Sequence, residues 1–424
     1  MDGYGARQGV SQGVHDDLHA RALVLDDGTT SAAIVSCDLL GVDRKLVALA
    51  RDAASRTTGV PAEHVLIAGT HTHAGPAGLC LNVDDVLVEA TARHIAGAIA
   101  AAQAKLRPAT LKLGSATVDS VSQNRRDPEW PKDSTLRVLL LDDPDSLRPP
   151  VACAISFACH ATVLYHTNLL FSADYPGYAC RAVEQLFPEA GALFLNGACG
   201  NVNPAWIEQE HAEAERVGKI VGATAAQLVA ELRPLGRGQK AHNIRWDEHI
   251  ELTVTAGRLI EEPRLRVASR RVELPLRSFQ EDAEYAATLS ELEARLRSAV
   301  GDVDERRRLQ AQVQRFETER QVARAMRGRQ EALHPEVMAI GFGDDLALLG
   351  LPGEFFVETA EQIRSQAGIA DLAVACYANH YIGYVVPPEA YDQGGYEAGI
   401  TLLAPEAEAI VVREAVRMLR EVVG

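Results

Sequence analysis

The chain has 424 residues, enough for one large α/β enzyme or two smaller domains, and its 47% apolar and 24% charged content is ordinary globular composition. A formal net charge of -16 disfavours a broad basic face, so nucleic acid and anionic lipid headgroups are not expected partners. No apolar run is long enough to span a bilayer, and Met1-Asp2-Gly3-Tyr4-Gly5 does not open a signal peptide, which leads to the expectation of a cytoplasmic protein.

In chain order, residues 22–25 and 32–37 are strand-like, 42–56 has helical spacing, and 65–68 is a buried-strand candidate. A long helix is predicted over about 83–105, strands over 136–141 and 151–157, and a helix from near Tyr175 with Asp174 as its cap candidate. This alternation predicts an α/β fold of mixed β-sheet layers flanked by helices. Residues 245–277 read as strands with one polar face. Residues 279–331, rich in Glu, Arg, Ala, Leu and Gln with a break at Gly301-Asp302, predict a charged helical hairpin projecting from the body. Its mixed charge suits a solvated arm or a contact in a homo-oligomer better than a nucleic-acid arm. A strand at 346–349 and a helix at 406–422 follow. The seven cysteines include no CxxC pair, and most sit in apolar runs (Cys37, Cys153, Cys159, Cys376). They read as buried reduced thiols, not as a disulfide frame or a cysteine zinc knuckle.

Chemistry concentrates at strand ends. Gly69-Thr70-His71-Thr72-His73-Ala74-Gly75-Pro76 follows the apolar run 65–68. In an extended segment residues two apart share a side, so His71 and His73 can face one site as metal ligands; the alternative is a pair of loop histidines bonded to backbone. His160 ends the run 155–159 and is by itself either a ligand or a satisfied core histidine. Asp174 is either a helix cap or a support for a ligand. Glu354, in Leu351-Pro352-Gly353-Glu354-Phe355-Phe356, suits a site carboxylate or a partner for a helix N-terminus. The tyrosines of Tyr377-Ala378-Asn379-His380-Tyr381-Ile382-Gly383-Tyr384-Val385 and of Gly394-Gly395-Tyr396 are packing residues or phenolic donors to a developing oxyanion.

Taken together and in order, GTHTHAGP, FACHATVLYHTNLLFSADYPGYA, LPGEFF and NHYIGYVVPPEAYDQGGYEAG resemble the motifs of the neutral, non-lysosomal ceramidases. The resemblance implies a single catalytic domain over residues 1–424, interrupted by the hairpin at 279–331. It implies zinc (Zn2+) held by His71, His160, Glu354 and Tyr384, with His73 and Tyr396 facing the scissile group. Arg126, beside Arg125, is similar to the family's active-site arginine. The implied activity is hydrolysis of an amide or ester bond in a small-molecule substrate by a zinc-activated water. His73 would serve as acid or base, Tyr396 as oxyanion donor, and Arg126 as anchor for a polar or anionic part of the substrate.

The chain departs from the family at Asn203, where Gly200-Asn201-Val202-Asn203-Pro204-Ala205 replaces a stretch with a serine once proposed as nucleophile. A C-terminal β-sandwich domain and a secretion signal are also not seen, and these departures point away from long-chain ceramide. Two other readings stay open: the same zinc platform used for lactone opening, elimination or glycoside cleavage, and a non-catalytic metal-binding protein.

Overall fold

The structure, a computed structural model, describes residues 1–145, 148–234, 240–242, 249–251, 257–299, 303–326 and 332–423. Three sheets enclose one central core. The first joins Ala20–Asp26 to Ser31–Cys37 antiparallel, and Ser31–Cys37 to Val65–Gly69 parallel. Helices α1 (Arg44–Thr58) and α2 (Asp85–Gln103) cover its outer face through Val47, Ala50, Val88 and Ile95. Local chemistry sets both helix starts: the Asp43 carboxylate accepts from Lys45 N and that of Asp84 from Leu87 N, and Gly59 closes α1 at φ 77°. The helices expected at 42–56 and 83–105 therefore begin just after these aspartates.

The second sheet runs in the order Gly191–Asn196, Ala152–Phe157, Thr135–Asp142, Thr110–Thr117, Gly257–Ile260, with its first pair parallel and the rest antiparallel. The strand Thr110–Thr117 carries Lys112 inside an apolar run, which hides it from a periodicity reading; the lysine is buried and bonds Asp142 at 2.9 Å. Helices α3 (Asp174–Leu186) and α4 (His211–Leu232) pack on this sheet and on each other. Their close approach depends on Gly218, where a Cβ would lie 2.4 Å from Tyr178 Cβ and 2.5 Å from Tyr175 O.

The helical hairpin consists of α5 (Asp282–Ser298) and α6 (Val303–Met326). A capping box between Glu281 and Glu284 starts α5, and Asp282 pairs with Arg320 and Arg324 of α6. The third sheet follows the order Arg266–Arg271, Glu336–Gly341, Ala347–Gly350, Ala373–Ala375, the last pair parallel. Helix α7 (Val357–Ala367) lies beside it, two short helices α8 (Pro388–Gln393) and α9 (Tyr396–Ile400) follow, and α10 (Ala407–Val422) closes the layer. The hairpin does not project freely: α6 packs against α9, and Arg277 donates to the Ala398 carbonyl at 2.7 Å.

Ile34, Leu66, Leu193, Met338, Ile340 and Leu348 meet where the three sheets face each other. Each such side chain contributes roughly 1.5–3 kcal/mol on leaving water. The mixed sheet layers flanked by helices agree with the expected α/β class. Of the stretch 245–277, Gly257–Ile260 and Arg266–Arg271 form sheet edges, while 245–248 and 252–256 lie outside the described residues. The hairpin break at 300–302 and its end at 327–331 lie outside them too. All seven cysteines are free thiols, six of them buried, and no helix among the described residues is long and apolar enough to cross a membrane.

Gly218→Ala is expected to lower stability by about 1–3 kcal/mol through overpacking at the α3–α4 crossing. Urea unfolding checks this; an unchanged midpoint would mean that the two helices are free to separate.

Candidate active site

Three segments leaving C-terminal strand ends build the site: His71 and His73 after Val65–Gly69, His160 after Ala152–Phe157, and Glu354 after Ala347–Gly350. Each strand has a parallel neighbour, and such strand ends are where α/β folds place their ligands. The His71–His73 segment is not extended, as its sequence suggested. His71 stands at φ 67°, held by its backbone N donating to Leu39 O at 2.9 Å and by Thr70 N donating to Cys37 O at 2.8 Å. A left-handed turn, not strand alternation, brings the two imidazoles together, with their Nε2 atoms 3.1 Å apart.

The rings of His71 and His160 are fixed by backbone. His71 Nδ1 donates to the Leu40 carbonyl at 2.7 Å, and His160 Nδ1 to the Cys199 carbonyl at 2.6 Å. A neutral imidazole that has committed Nδ1–H in this way keeps a lone pair on Nε2. That atom of His160 lies 3.0 Å from Glu354 Oε2, and that of His71 lies 3.5 Å from the same oxygen. Lone pairs facing a carboxylate in a buried site need a proton or a metal cation between them. Burial and the Arg125 charge push the His160 pKa down to about 4, and burial with the neighbouring imidazoles holds His73 well below its ordinary value. Burial alone would raise Glu354, but the adjacent His71 and His160 hold its carboxyl well below the usual range. The donor set therefore fits a divalent cation of the zinc type, and the reactive nitrogens of His71, His73 and His160 all lie within 4.8 Å of one another. His73 differs from the other two: its Nδ1 is buried with no hydrogen-bond partner among the described residues.

The remaining residues singled out from sequence take distinct places. Tyr384 is the register neighbour of Glu354 in a two-stranded parallel pair, and its hydroxyl accepts from Arg125 Nη2 at 2.8 Å. Burial pushes the Tyr384 pKa well up. Tyr396 stands at the mouth, 59% exposed, its ring 6.0 Å from that of Tyr384. Arg126 does not reach the imidazoles' neighbours; it bonds Glu397 Oε2 at 2.9 Å and Gly394 O at 2.9 Å on the outer loop. The guanidinium turned toward Tyr384 is that of Arg125, which also bonds Glu397 Oε1 at 2.7 Å and Asn203 Oδ1 at 3.3 Å. Asp174 is the first residue of α3, not its cap. At φ 53° its carboxylate accepts from Tyr175 N and Leu164 N and pins the loop after His160.

Several contributors were not singled out individually by the sequence. Tyr381 donates to Glu354 Oε1 at 2.6 Å, and Tyr377 stacks 3.8 Å from the His71 ring. Both lie in the quoted tyrosine-rich stretch, but residue type does not tell its tyrosines apart. Buried Asn196 ties the two histidine segments together, donating to Thr70 O at 3.1 Å and accepting from Cys159 N at 3.3 Å. The first residues of the chain form one wall: the Tyr4 ring lies 4.7 Å from that of His73, and Arg7 Nη2 donates to the His73 carbonyl at 2.7 Å.

Comparison with known proteins bears on this arrangement. Residues 1–234 match the family described as neutral/alkaline non-lysosomal ceramidase, N-terminal. The chain is 27% identical to the neutral ceramidase of Pseudomonas aeruginosa over 455 aligned residues, covering 96% of this chain and 67% of that one. It is 28% identical to the neutral ceramidase of Drosophila pseudoobscura pseudoobscura over 236 residues, 48% of this chain and 33% of the other. The crystal structure of the Pseudomonas aeruginosa neutral ceramidase superposes with a TM-score of 0.69 at 23% identity, over 96% of this chain and 69% of that one, a likeness of fold.

A neutral buried His160 has a consequence for stability. Folded His160 refuses its proton until about pH 4, whereas in the unfolded chain it titrates near 6.5. Between these values the unfolded state binds more protons, so this group withdraws stability from the metal-free protein as pH falls. Buried Asp38 and Asp174, raised to about 6, act in the opposite sense, so the difference between two proteins is the clean measure. Urea unfolding of chelated protein at about pH 7 and about pH 5 is expected to show a steeper acid loss for wild type than for His160→Gln; parallel losses would mean that His160 is not held neutral.

Proposed function

The chain belongs to the neutral/alkaline non-lysosomal ceramidase family, and on that basis we propose that it is a zinc-dependent hydrolase of an amide bond. The observation that carries the reading is His160 Nε2 facing Glu354 Oε2 at 3.0 Å while its Nδ1 is committed to backbone. His71, His160 and Glu354, with the Tyr384 phenol beside them, would hold the ion. When bound, zinc would supply Lewis acidity to the scissile carbonyl and lower the pKa of the attacking water.

The chain's own groups do the rest. His73 has no acceptor at Nδ1 to fix its tautomer, so it is the imidazole suited to exchanging a proton at Nε2. It takes the proton from the attacking water and passes one to the departing nitrogen. Water adds across the C–N bond, giving a carboxylate and an amine. Arg125 holds the Tyr384 hydroxyl and brings positive charge toward the carbonyl oxygen as negative charge builds there, and Tyr396 donates to that oxygen from the mouth. Arg126 anchors the outer part of the substrate. Asn203, bonded to Arg125, has no hydroxyl to form an acyl-enzyme, which supports direct attack by water. The Pseudomonas aeruginosa relative is named a ceramidase. For this chain, the polar mouth of Arg125, Arg126 and Asn203 supports a short or medium amide over long-chain ceramide.

His71→Ala and Glu354→Gln are expected to lose bound metal together with turnover. His73→Ala is expected to keep the metal and lose about 10²–10⁴ in kcat. Metal analysis and amine release measure both, and product mass separates hydrolysis, which adds one water, from elimination, which adds none. Full metal and full rate in His71→Ala would end the zinc assignment; full rate in His73→Ala would end its role as acid and base.

A further inference from the structure

Next to Arg125, whose guanidinium bonds the Tyr384 hydroxyl, lies a cavity of about 620 Å³ lined by Arg125, Arg126, Trp130, Asn203, Tyr396 and Glu397, among others. Its charges do not balance. Glu397 serves two guanidinium groups at once, Arg125 at 2.7 Å and Arg126 at 2.9 Å. On the other side of α9 the hairpin repeats the pattern, with Glu319 shared between Arg315 at 3.4 Å and Arg277 at 3.9 Å. Four guanidiniums thus meet two carboxylates around one short helix, in a chain whose net charge is -16. Asp127 and Glu129 follow Arg126 in the chain but do not line the cavity.

The backbone between the two arginine pairs is shaped to admit them. A Cβ on Gly394 would lie 2.6 Å from Arg315 Nη1, and one on Gly395 would lie 2.8 Å from Arg126 Nη1; both glycines have positive φ, 70° and 97°. Any other residue type there would push a guanidinium away. The Arg126 side chain is only 8% exposed, and its Nε is buried with no acceptor among the described residues. A buried N–H of a charged group without an acceptor is costly, and a planar anion is the partner that a guanidinium edge fits. Trp130, 37% exposed, lies with its ring 5.8 Å from the Arg126 guanidinium and adds an aromatic wall.

We propose that this mouth is a subsite for a carboxylate on the substrate, so that the amide cleaved is of the N-acyl amino acid class, with Arg126 as the specificity-determining residue. The inference rests on the amidase reading and deepens it: the acyl carbonyl would lie at the histidine cluster and the carboxylate of the leaving amino acid at Arg126. Excess positive charge at the mouth would draw the anion in through an otherwise acidic surface.

N-octanoylglycine and its uncharged isostere N-octanoylglycinamide test the idea on the full chain. Calorimetry on chelated protein, where nothing turns over, is expected to show octanoylglycine binding about ten- to a hundredfold more tightly, with the gap narrowing in high salt. In zinc-loaded protein kcat/KM for octanoate release is expected to show the same preference. Arg126→Gln should collapse the ratio toward one, Arg126→Lys should restore part of it, and Arg315→Gln, on the hairpin, should reduce it. Equal binding of the two compounds, or a preference that survives Arg126→Gln in folded protein, overturns the subsite. If the glycinamide is cleaved as well as the glycine compound, the amidase reading stands and the carboxylate subsite falls. If octanoylglycine binds through Arg126 and neither compound is cleaved, the subsite stands and the amidase reading falls.

Discussion

A neutral imidazole facing a buried carboxylate is the contact on which the rest of the site depends. His160 and Glu354 meet at 3.0 Å with both groups buried. Left alone, that arrangement sets lone pair against lone pair, and the low dielectric makes it expensive. A proton or a metal cation between them makes it favourable. The backbone carbonyls of Leu40 and Cys199 keep the arrangement in place by holding each Nδ1 proton, so neither ring can turn its N–H toward the carboxylate.

Holding these groups takes strain, and the strain is local to the site. Among the described residues five non-glycine positions have positive φ, and four of them, His71, Asp174, Tyr377 and Asn379, belong to the segments that surround the imidazoles. Such backbone costs about 1 kcal/mol or more per residue and persists only where surrounding structure over-determines it. The core does so here. Asn379 accepts from Ile67 N at 3.0 Å and donates to Glu336 Oε1 at 2.9 Å, and Glu336 is gripped in turn by both Nη atoms of Arg51. The loop that stacks Tyr377 on His71 is thereby tied to two sheets and a helix.

Two parts of the chain that carry no proposed ligand shape the surroundings. The first residues lay Tyr4 against His73, and the hairpin presses Arg315 toward Gly394 at the mouth. The histidine cluster and the polar mouth are thus built by different segments, the former by strand ends and the latter by α9 and what packs on it.

Much of the fold was legible from local pattern, because strand alternation, helical spacing and caps such as Asp43 and Asp84 act over a few residues. The motifs also marked His71, His73, His160 and Glu354, since each follows an apolar strand that the sequence displays. What the sequence did not show is everything set by direction and distance between remote segments. Adjacent Arg125 and Arg126 are equivalent as letters, and only the pairing of Val202–Pro204 with Ser122–Asn124 and the placement of Glu397 turn one toward Tyr384 and the other toward Gly394. Tyr381, Tyr377 and Asn196 acquire their roles from partners 27 to 306 residues away. The turn at His71 came from hydrogen bonds to a neighbouring segment, which overrode the alternation that its own sequence implied. Residue type determined which atoms could bind a metal; long-range packing decided which of them meet.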